Sequence, residues 1–395
     1  MSKRKIVVTM VILLIITNLM TFGVSQFVRV QGIADAMGVD SNTFKIMEVR
    51  DFIENNYLRD IDNDKMIDGQ LKGMVQSLED PYSVYLTTEE YKSFTQETSG
   101  IYAGIGIIVT PGEDGYITVV SPIEDTPGER AGLKTGDRIS HVDGVEYFGE
   151  EMDQAVNVMK GEANTSVSLT IIRGQLSESE SFDVDIVREQ IRLVTVKSEM
   201  IDDIGYMRLT SFDEITYDDF KTQLDQIESN NARGLIIDLR NNPGGLLDVT
   251  AKIADDLLGS GDIVYTETKD GQRQTIQSGK SQSEIPLVVL INEGSASASE
   301  ILSGAIKDHN RGEIIGTTSF GKGVVQTVRP LSDGSGIKLT VSQFFTPEGN
   351  VIHDVGVEPD IVVELDEGVE TIGIENIEED NQLQKALELI REKAN

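Results

Sequence analysis

Apolar positions fall into three successive regimes along the chain. The first is a run from Ile6 to Val24, broken only by Thr9, Thr17, Asn18, Thr21 and Gly23. Over 42–98 apolar residues recur at helical spacing, with Ile46, Val49, Phe52 and Ile53, then Ile67, Leu71, Met74, Val75 and Leu78. Asp80-Pro81 ends that pattern in a turn. From about 100, short strands separated by Gly-rich turns are predicted at 101–109, 116–120, 138–142, 167–172 and 182–187. One short helix interrupts them, with Met152, Ala155, Val156 and Met159 on a single face. This is the pattern of a small β-rich module.

From about 192 the elements alternate. Strands are predicted at 204–209, 234–239 (GLIIDL), 263–266, 286–291 (PLVVLI) and 313–315, and helices at 217–229, 246–258 and 298–308. Such alternation implies crossover units around a mainly parallel sheet. Ligands in these sheets gather beyond the carboxyl ends of the strands, so the loops after GLIIDL and PLVVLI are where chemistry is expected. A last amphipathic helix is predicted over 381–393. The acidic stretch after Leu365 reads as solvated surface, within a span (Leu339 to Gln384) that has no Lys or Arg.

Composition narrows the classes of function. A formal net charge of -33 argues against nucleic acid as a partner, because counterion release needs a basic patch. The absence of Cys removes disulfides and thiol chemistry, and three His (His141, His309, His353) are too few for a His-rich zinc site; no cofactor is expected. Ser2-Lys3-Arg4-Lys5 ahead of the first apolar run is an export signal whose positive side stays in the cytoplasm. The run is long enough to cross the hydrocarbon, and no small-x-small cleavage site follows it. The expectation is a single-pass signal anchor over 1–25 with the remainder extracytoplasmic, or secreted if the signal is cleaved.

The loop after PLVVLI carries Asn292-Glu293-Gly294-Ser295-Ala296-Ser297-Ala298-Ser299-Glu300. Ser297-Ala298-Ser299-Glu300 fits a capping box, which needs no chemistry. A Ser at a helix N-terminus also sits where backbone N–H groups and the helix dipole favour a developing oxyanion. From this segment alone both readings stand. His309 lies three turns further along the same predicted helix, roughly 18 Å away, and cannot serve as base. His141 falls in the β-rich module, and His353 sits in a polar turn with no evident Asp partner. Lys322, in GKGVVQ, is the remaining candidate: a lysine acts as base when desolvation lowers its pKa, and Phe320, Val324 and Val325 are apolar neighbours. A lone Lys between two glycines also reads as a plain loop residue. Gly316–Lys322 matches a phosphate-binding loop, yet Gly323 stands where the Mg²⁺-binding hydroxyl belongs and extended chain follows, so nucleotide binding is not expected. Arg240-Asn241-Asn242-Pro243-Gly244-Gly245, after GLIIDL, reads either as a plain turn or as a source of backbone N–H groups.

Taken together, GYMRLTSF (205–212), DLRNNPGGL (238–246), GSASASEI (294–301), FGKGVVQ (320–326) and FTPEGN…VGVEPD (345–360) resemble the carboxy-terminal processing peptidases, or tail-specific proteases, in the family's order. DPYS (80–83) and GIGI (104–107) agree as well. The resemblance implies an α/β multidomain protein: a crotonase/Clp-protease-like α/β catalytic core (191–365), an inserted β-rich PDZ domain (99–190), a helical N-terminal region (26–98), and an acidic tail with a C-terminal helix (366–395). It implies Ser297 as nucleophile, Lys322 as base, Gln326 as orienting amide, and Gly244 and Ala298 as oxyanion donors. Ser295 and Ser299 are then packing or capping residues, and Glu300 holds the helix cap beneath Ser297. Tyr102, Gly104, Ile105, Gly106 and Ile107 would form the loop that takes a substrate's terminal carboxylate. Implied partners are protein substrates with free, apolar C-termini and a second copy of the chain, paired through the N-terminal helices and the C-terminal part. A catalytically inactive PDZ scaffold is the competing class, opposed by the joint presence of Ser297, Lys322 and Gln326; a crotonase-like acyl enzyme is a third, opposed by the export signal and the PDZ-like module.

Overall fold

The computed structural model describes residues 15–18, 20–21, 41–112, 114–174, 179–279, 282–369 and 371–394. Most of the run read as a signal anchor lies outside these residues. Among the described residues no helix is long and apolar enough to cross a membrane. The chain divides into two units, 1–74 and 75–395. The first carries α1 (Ser41–Asn56) and most of α2 (Asn63–Gln76). The apolar residues of α1, including Val49 and Phe52, stand exposed within it. After the turn at Asp80-Pro81 the chain forms β1 (Val84–Leu86), a strand not expected within 42–98, before α3 (Thr88–Ser99).

In the larger unit the chain first enters the β-rich module through β2 (Ile101–Gly104) and β3 (Ile107–Pro111). The single strand expected over 101–109 is broken here at Ile105-Gly106, where Gly106 turns to φ 72°. The module continues with β4 (Ile117–Pro122), the one-turn α4 (Pro127–Arg130), β5 (Arg138–Val142), β6 (Val145–Glu146), α5 (Met152–Met159), β7 (Ser166–Arg173) and β8 (Glu180–Val187). Its sheet runs β3-β4-β5-β7-β8, which among the described residues leaves one edge of β3 without a neighbouring strand. The chain leaves through β9 (Glu189–Arg192), paired antiparallel with β2, so entry and exit form one two-stranded ribbon. Ile117, Val119, Ile139, Leu169 and Ile171 build a core separate from that of the rest.

The remaining elements follow as β10 (Val196–Ile201), β11 (Ile204–Leu209), α6 (Thr216–Ser229), β12 (Gly234–Asp238), α7 (Leu247–Leu257), β13 (Gly261–Thr268), β14 (Arg273–Ser278), β15 (Leu287–Ile291), α8 (Ala298–Asp308), β16 (Gly312–Gly316), β17 (Val324–Pro330), β18 (Gly336–Phe345), β19 (Ile361–Val362) and α9 (Asn381–Lys393). The main sheet has the order β10-β11-β12-β15-β16-β19, and β11 through β19 are parallel. Side chains alternate across it. Leu235, Ile237, Val289 and Ile291 pack against α6, α7 and α8, while Ile236, Val288 and Leu290 face α9. Burial on both faces explains why GLIIDL and PLVVLI read as continuous apolar runs.

A second, antiparallel sheet joins β1, β18, β13 and β14, with β17 also on β18. It puts residues distant in sequence in register: Val84 lies opposite Lys338 and Gln326 opposite Thr340. The apolar face of α9 (Leu383, Ala386, Leu387, Ile390) is covered by this chain's own sheet. It is therefore not free for pairing with a second copy. The acidic stretch is not solvated surface throughout either: Asp380 at the N-cap of α9 is fully buried.

Candidate active site

Two parallel strands, β12 and β15, end side by side, and the loops that follow them meet. Both loops cross over into helices (α7 and α8), so the first free backbone N–H groups of α8 lie at the carboxyl edge of the sheet. Ser297 is the N-cap of α8 and adopts φ 53°, ψ -108°, a region that costs a non-glycine residue on the order of 1–3 kcal/mol. Four contacts hold that turn in place. Ala296 N–H donates to Asn242 O (3.0 Å), Ser295 Oγ to Leu239 O (2.8 Å) and Ser299 Oγ to Asn242 O (2.9 Å). The fourth is the Ser297 N–H, which donates to Glu300 Oε2 at 2.7 Å. The flanking serines thus staple the turn to the neighbouring loop. The Ser297 hydroxyl, by contrast, makes no cap hydrogen bond to the helix it begins.

Gly244 sits directly against this turn. A Cβ there would meet Ala296 O at 2.6 Å and Ala298 N at 2.8 Å, and its φ of 101° is open to glycine alone. Its N–H is turned onto Asn242 Oδ1 (2.9 Å) in this arrangement. The Ala298 N–H donates to no described acceptor, beside the Ser297 hydroxyl and at the positive end of α8. An oxyanion forming next to Ser297 would find it there.

Glu300 is the residue that ties the site together. Its side chain is fully buried and accepts four hydrogen bonds: Ser319 Oγ (2.6 Å) and Gly321 N–H (2.7 Å) on Oε1, Ser297 N–H (2.7 Å) and Lys322 N–H (2.9 Å) on Oε2. Four donors on one carboxylate satisfy its lone pairs, which is the condition for burying a charge. The backbone of Ser297 and the backbone of Lys322 therefore share one oxygen atom as anchor. The glycines around Lys322 serve close packing, since a side chain at Gly323 would run into the backbone of His353.

Lys322 is half-buried, and its ammonium lies 4.9 Å from the centroid of the Tyr82 ring. Burial and the nearby Lys338 ammonium pull its pKa below the ordinary lysine value, against the opposing pull of Glu300 and Asp80. The apolar surroundings differ from those expected: Val324 is buried, but Phe320 is 59% exposed, and Tyr82 covers the amine instead. No hydrogen bond joins Lys322 Nζ to Ser297 Oγ or to Gln326 in this arrangement, and Gln326 Nε2 donates to Val324 O (3.2 Å). Tyr82 comes from DPYS, where Asp80 accepts from Tyr82 N–H (3.0 Å) and Ser83 Oγ (2.5 Å), and Ser83 Oγ in turn accepts from Thr340 N–H on β18 (3.0 Å). The contribution of DPYS to the site was invisible in the sequence, because only strand pairing between β1 and β18 brings it there. Of the histidines, His309 Nε2 lies 2.7 Å from Asp262 O, and His141 belongs to the β-rich module. His353 packs beside Gly323, and its buried Nδ1 has no hydrogen-bond partner among the described residues.

In the β-rich module the loop between β2 and β3 has its carbonyls tied down: Ile105 O accepts from Gly128 N–H (2.6 Å), and Gly106 O from Ile123 N–H (2.9 Å) and Thr126 Oγ1 (2.9 Å). The N–H groups of Ile105 and Gly106 donate to no described acceptor. Next to them, Ile107 begins the open edge of β3. Ile105 itself belongs to the module's core, so only its backbone is offered. Gly104 closes the ribbon opposite Glu189. Tyr102 packs against the loop with its hydroxyl pKa raised by burial and Lys160 Nζ 5.8 Å from its ring centroid. Donors without acceptors beside an unpaired strand edge are what a peptide carboxylate with an added strand would complete.

Comparison with known proteins agrees with this geometry. Residues 203–363 match the model of peptidase family S41, residues 118–173 that of the PDZ domain, and residues 23–90 that of the activating protease CtpB N-terminal domain. The carboxy-terminal-processing protease of Bartonella bacilliformis is 41% identical over 336 residues, covering 82% of this chain and 76% of its own. The carboxy-terminal processing protease CtpA of Bacillus subtilis is 36% identical over 368 residues, covering 92% and 78%. Among solved structures, the photosystem II D1 C-terminal processing protease superposes with a TM-score of 0.51 at 29% identity, covering 87% of this chain and 92% of that one. The chain belongs to the carboxy-terminal processing proteases of peptidase family S41. It is a serine-type peptidase, an α/β multidomain protein with an inserted PDZ domain.

Replacing Glu300 by Gln puts an amide NH₂ among backbone donors. The Glu300→Gln variant is expected to lose about 2–4 kcal/mol of stability in urea unfolding and at least tenfold in peptide turnover. Native values for both would remove the carboxylate from its anchoring position.

Proposed function

We propose that the protein is a membrane-anchored, extracytoplasmic endopeptidase that captures free C-termini on its PDZ domain and cleaves near them. Ser297 is the nucleophile, Lys322 the base and Gln326 the amide that orients it. The observation that carries this reading is the shared Glu300 carboxylate, which fixes the Ser297 and Lys322 backbones to one point. The amine leaves the Tyr82 ring to reach Ser297 Oγ when substrate is bound.

Neutral Lys322 then takes the hydroxyl proton as Oγ adds to the scissile carbonyl carbon. The oxyanion is received by the Ala298 N–H, and by that of Gly244 once it is released from Asn242. The lysine ammonium returns its proton to the leaving amine as the C–N bond breaks, and an acyl ester remains on Ser297. Water repeats the sequence and frees the serine. Each step needs the lysine to arrive neutral, which its lowered pKa favours.

The PDZ loop (Gly104 to Ile107, with Tyr102 beside it) takes the terminal carboxylate, and the substrate's tail adds a strand at the open edge of β3. Apolar C-termini are the preferred tails. The basic cluster and apolar run at the N-terminus support anchoring in the cytoplasmic membrane with the peptidase outside. Pairing of two copies would use the N-terminal helices, whose apolar residues are exposed, rather than α9, whose face is covered. An inactive scaffold is not favoured, since it would have no use for a buried carboxylate anchoring both Ser297 and Lys322.

Ser297→Ala and Lys322→Ala should each abolish cleavage of a flexible peptide while melting stays cooperative; normal turnover by either would end the mechanism. Rate should rise with pH as Lys322 loses its proton, with the limb below the ordinary lysine value. Removing the repelling charge in Lys338→Met favours the ammonium form, so the kcat/KM limb should move to higher pH; an unmoved limb would mean that another group titrates. Amidation of the substrate's C-terminus should raise KM at least tenfold at constant kcat, and an unchanged KM would dismiss carboxylate capture.

A further inference from the structure

We infer that Asp380, at the N-cap of the C-terminal helix α9, is a positioning residue for hydrolysis at Ser297: it locks Arg240, and Arg240 locks the loop that seats the nucleophile. The inference rests on the serine-peptidase reading above and extends it to a residue outside the matched peptidase segment, 203–363.

Arg240, Asp238 and Asp380 are all fully buried. Arg240 Nε and Nη2 donate to the two oxygens of Asp238 (2.9 and 2.6 Å). Nη1 and Nη2 donate to the two oxygens of Asp380 (2.9 and 2.8 Å), and Nη1 also to Gln382 Oε1 (3.0 Å). All five guanidinium N–H groups are used, so no rotation of the side chain is possible without leaving a buried donor unpaired. Asp380 is itself held by Leu383 N–H (2.9 Å) and Gly373 N–H (2.7 Å), and Asp238 by the Tyr206 hydroxyl (2.7 Å).

The backbone on either side of Arg240 reaches the nucleophile turn. Leu239 O accepts from Ser295 Oγ and Asn242 O from Ala296 N–H and Ser299 Oγ. Arg240 thus lies in a continuous run of contacts from the N-cap of α9 to the residue before Ser297. A buried ion cluster is a costly way to gain stability, because apolar side chains of similar volume often do as well or better. What it supplies instead is one fixed geometry. Placement of Ser297 and the Ala298 N–H is needed most in the transition state, so its loss should appear in kcat rather than KM.

The test uses the full-length protein, with active sites titrated by a fluorophosphonate. Asp380→Asn is expected to lower kcat per titrated site at least tenfold on a short peptide, with KM within twofold of wild type and labelling of Ser297 slowed by a similar factor. Leu387→Ala loosens the same helix without touching Arg240 and should leave kcat per titrated site unchanged. A kcat for Asp380→Asn within twofold of wild type, or an equal fall in Leu387→Ala, overturns the inference. Should Asp380→Asn fail to fold, Gln382→Met removes one acceptor from Arg240 without removing a charge; a severalfold fall in kcat at constant KM supports the inference and an unchanged kcat overturns it. Failure of the wild type to label at Ser297 defeats the serine reading itself, and this inference with it, whereas normal wild-type labelling with an unaffected Asp380→Asn counts against Asp380 alone.

Discussion

A single buried carboxylate holds together the two segments of this protein's candidate site. Glu300 accepts from the backbones of Ser297, Gly321 and Lys322 and from the Ser319 hydroxyl, four donors supplied by two segments some twenty residues apart. A carboxylate taken out of water is stable only when its lone pairs are filled. Any displacement of either segment would leave it short of a donor, so the serine and lysine segments are held together by the cost of separating them. The unusual φ of Ser297 persists for the same reason: the strain is small beside the hydrogen bonds that would be lost by relaxing it.

The second buried cluster, around Arg240, does the same for the other wall of the site. Its three ionic groups lie on the α9 side of the sheet, while the turn they steady opens at the carboxyl edge. Positions of this kind follow from a parallel sheet buried on both faces: a residue at the end of β12 can send its side chain into one layer and its backbone into the loop above. Tyr82 and Asp80 reach the Lys322 side of the site by a different route, strand pairing of β1 with β18, which also brings Lys338 close enough to repel the ammonium. Opposing contributions from Lys338, Glu300 and Asp80, on top of burial, set the proton affinity of that amine.

Much of this was legible from residue pattern. The helix over 298–308 and the strands over 138–142 and 204–209 have the bounds that the residue pattern assigns them. The strand expected over 101–109 failed where Gly106 takes a left-handed turn that apolar periodicity does not register. The pairing of β18 with β1, β13 and β17 was not legible for a different reason: β17 and β18 are half-exposed and alternate weakly, so their place in a sheet depends on partners far along the chain. The acidic C-terminal stretch misled because charge reads as exposure. Asp380 is buried where Arg240 meets it, 140 positions away along the chain, and no local pattern signals that pairing.

By itself, the sequence determined the set of chemical groups and what they exclude: no thiols, too few histidines for a His-rich zinc site, no histidine placed to serve a triad, and a Ser, a Lys and a Glu beyond the ends of buried strands. It also determined the parallel core, because continuous apolar runs between helices can be buried in few other ways. Only the tertiary structure decided what those groups are to one another. Glu300 became the common anchor of two loops, DPYS became the surface on which Lys322 rests, and Asp380 became the partner of Arg240 behind the loop that follows β12. Local pattern reports how a segment buries its own apolar face. Hydrogen bonds between segments depend on geometry that exists only after both have been placed.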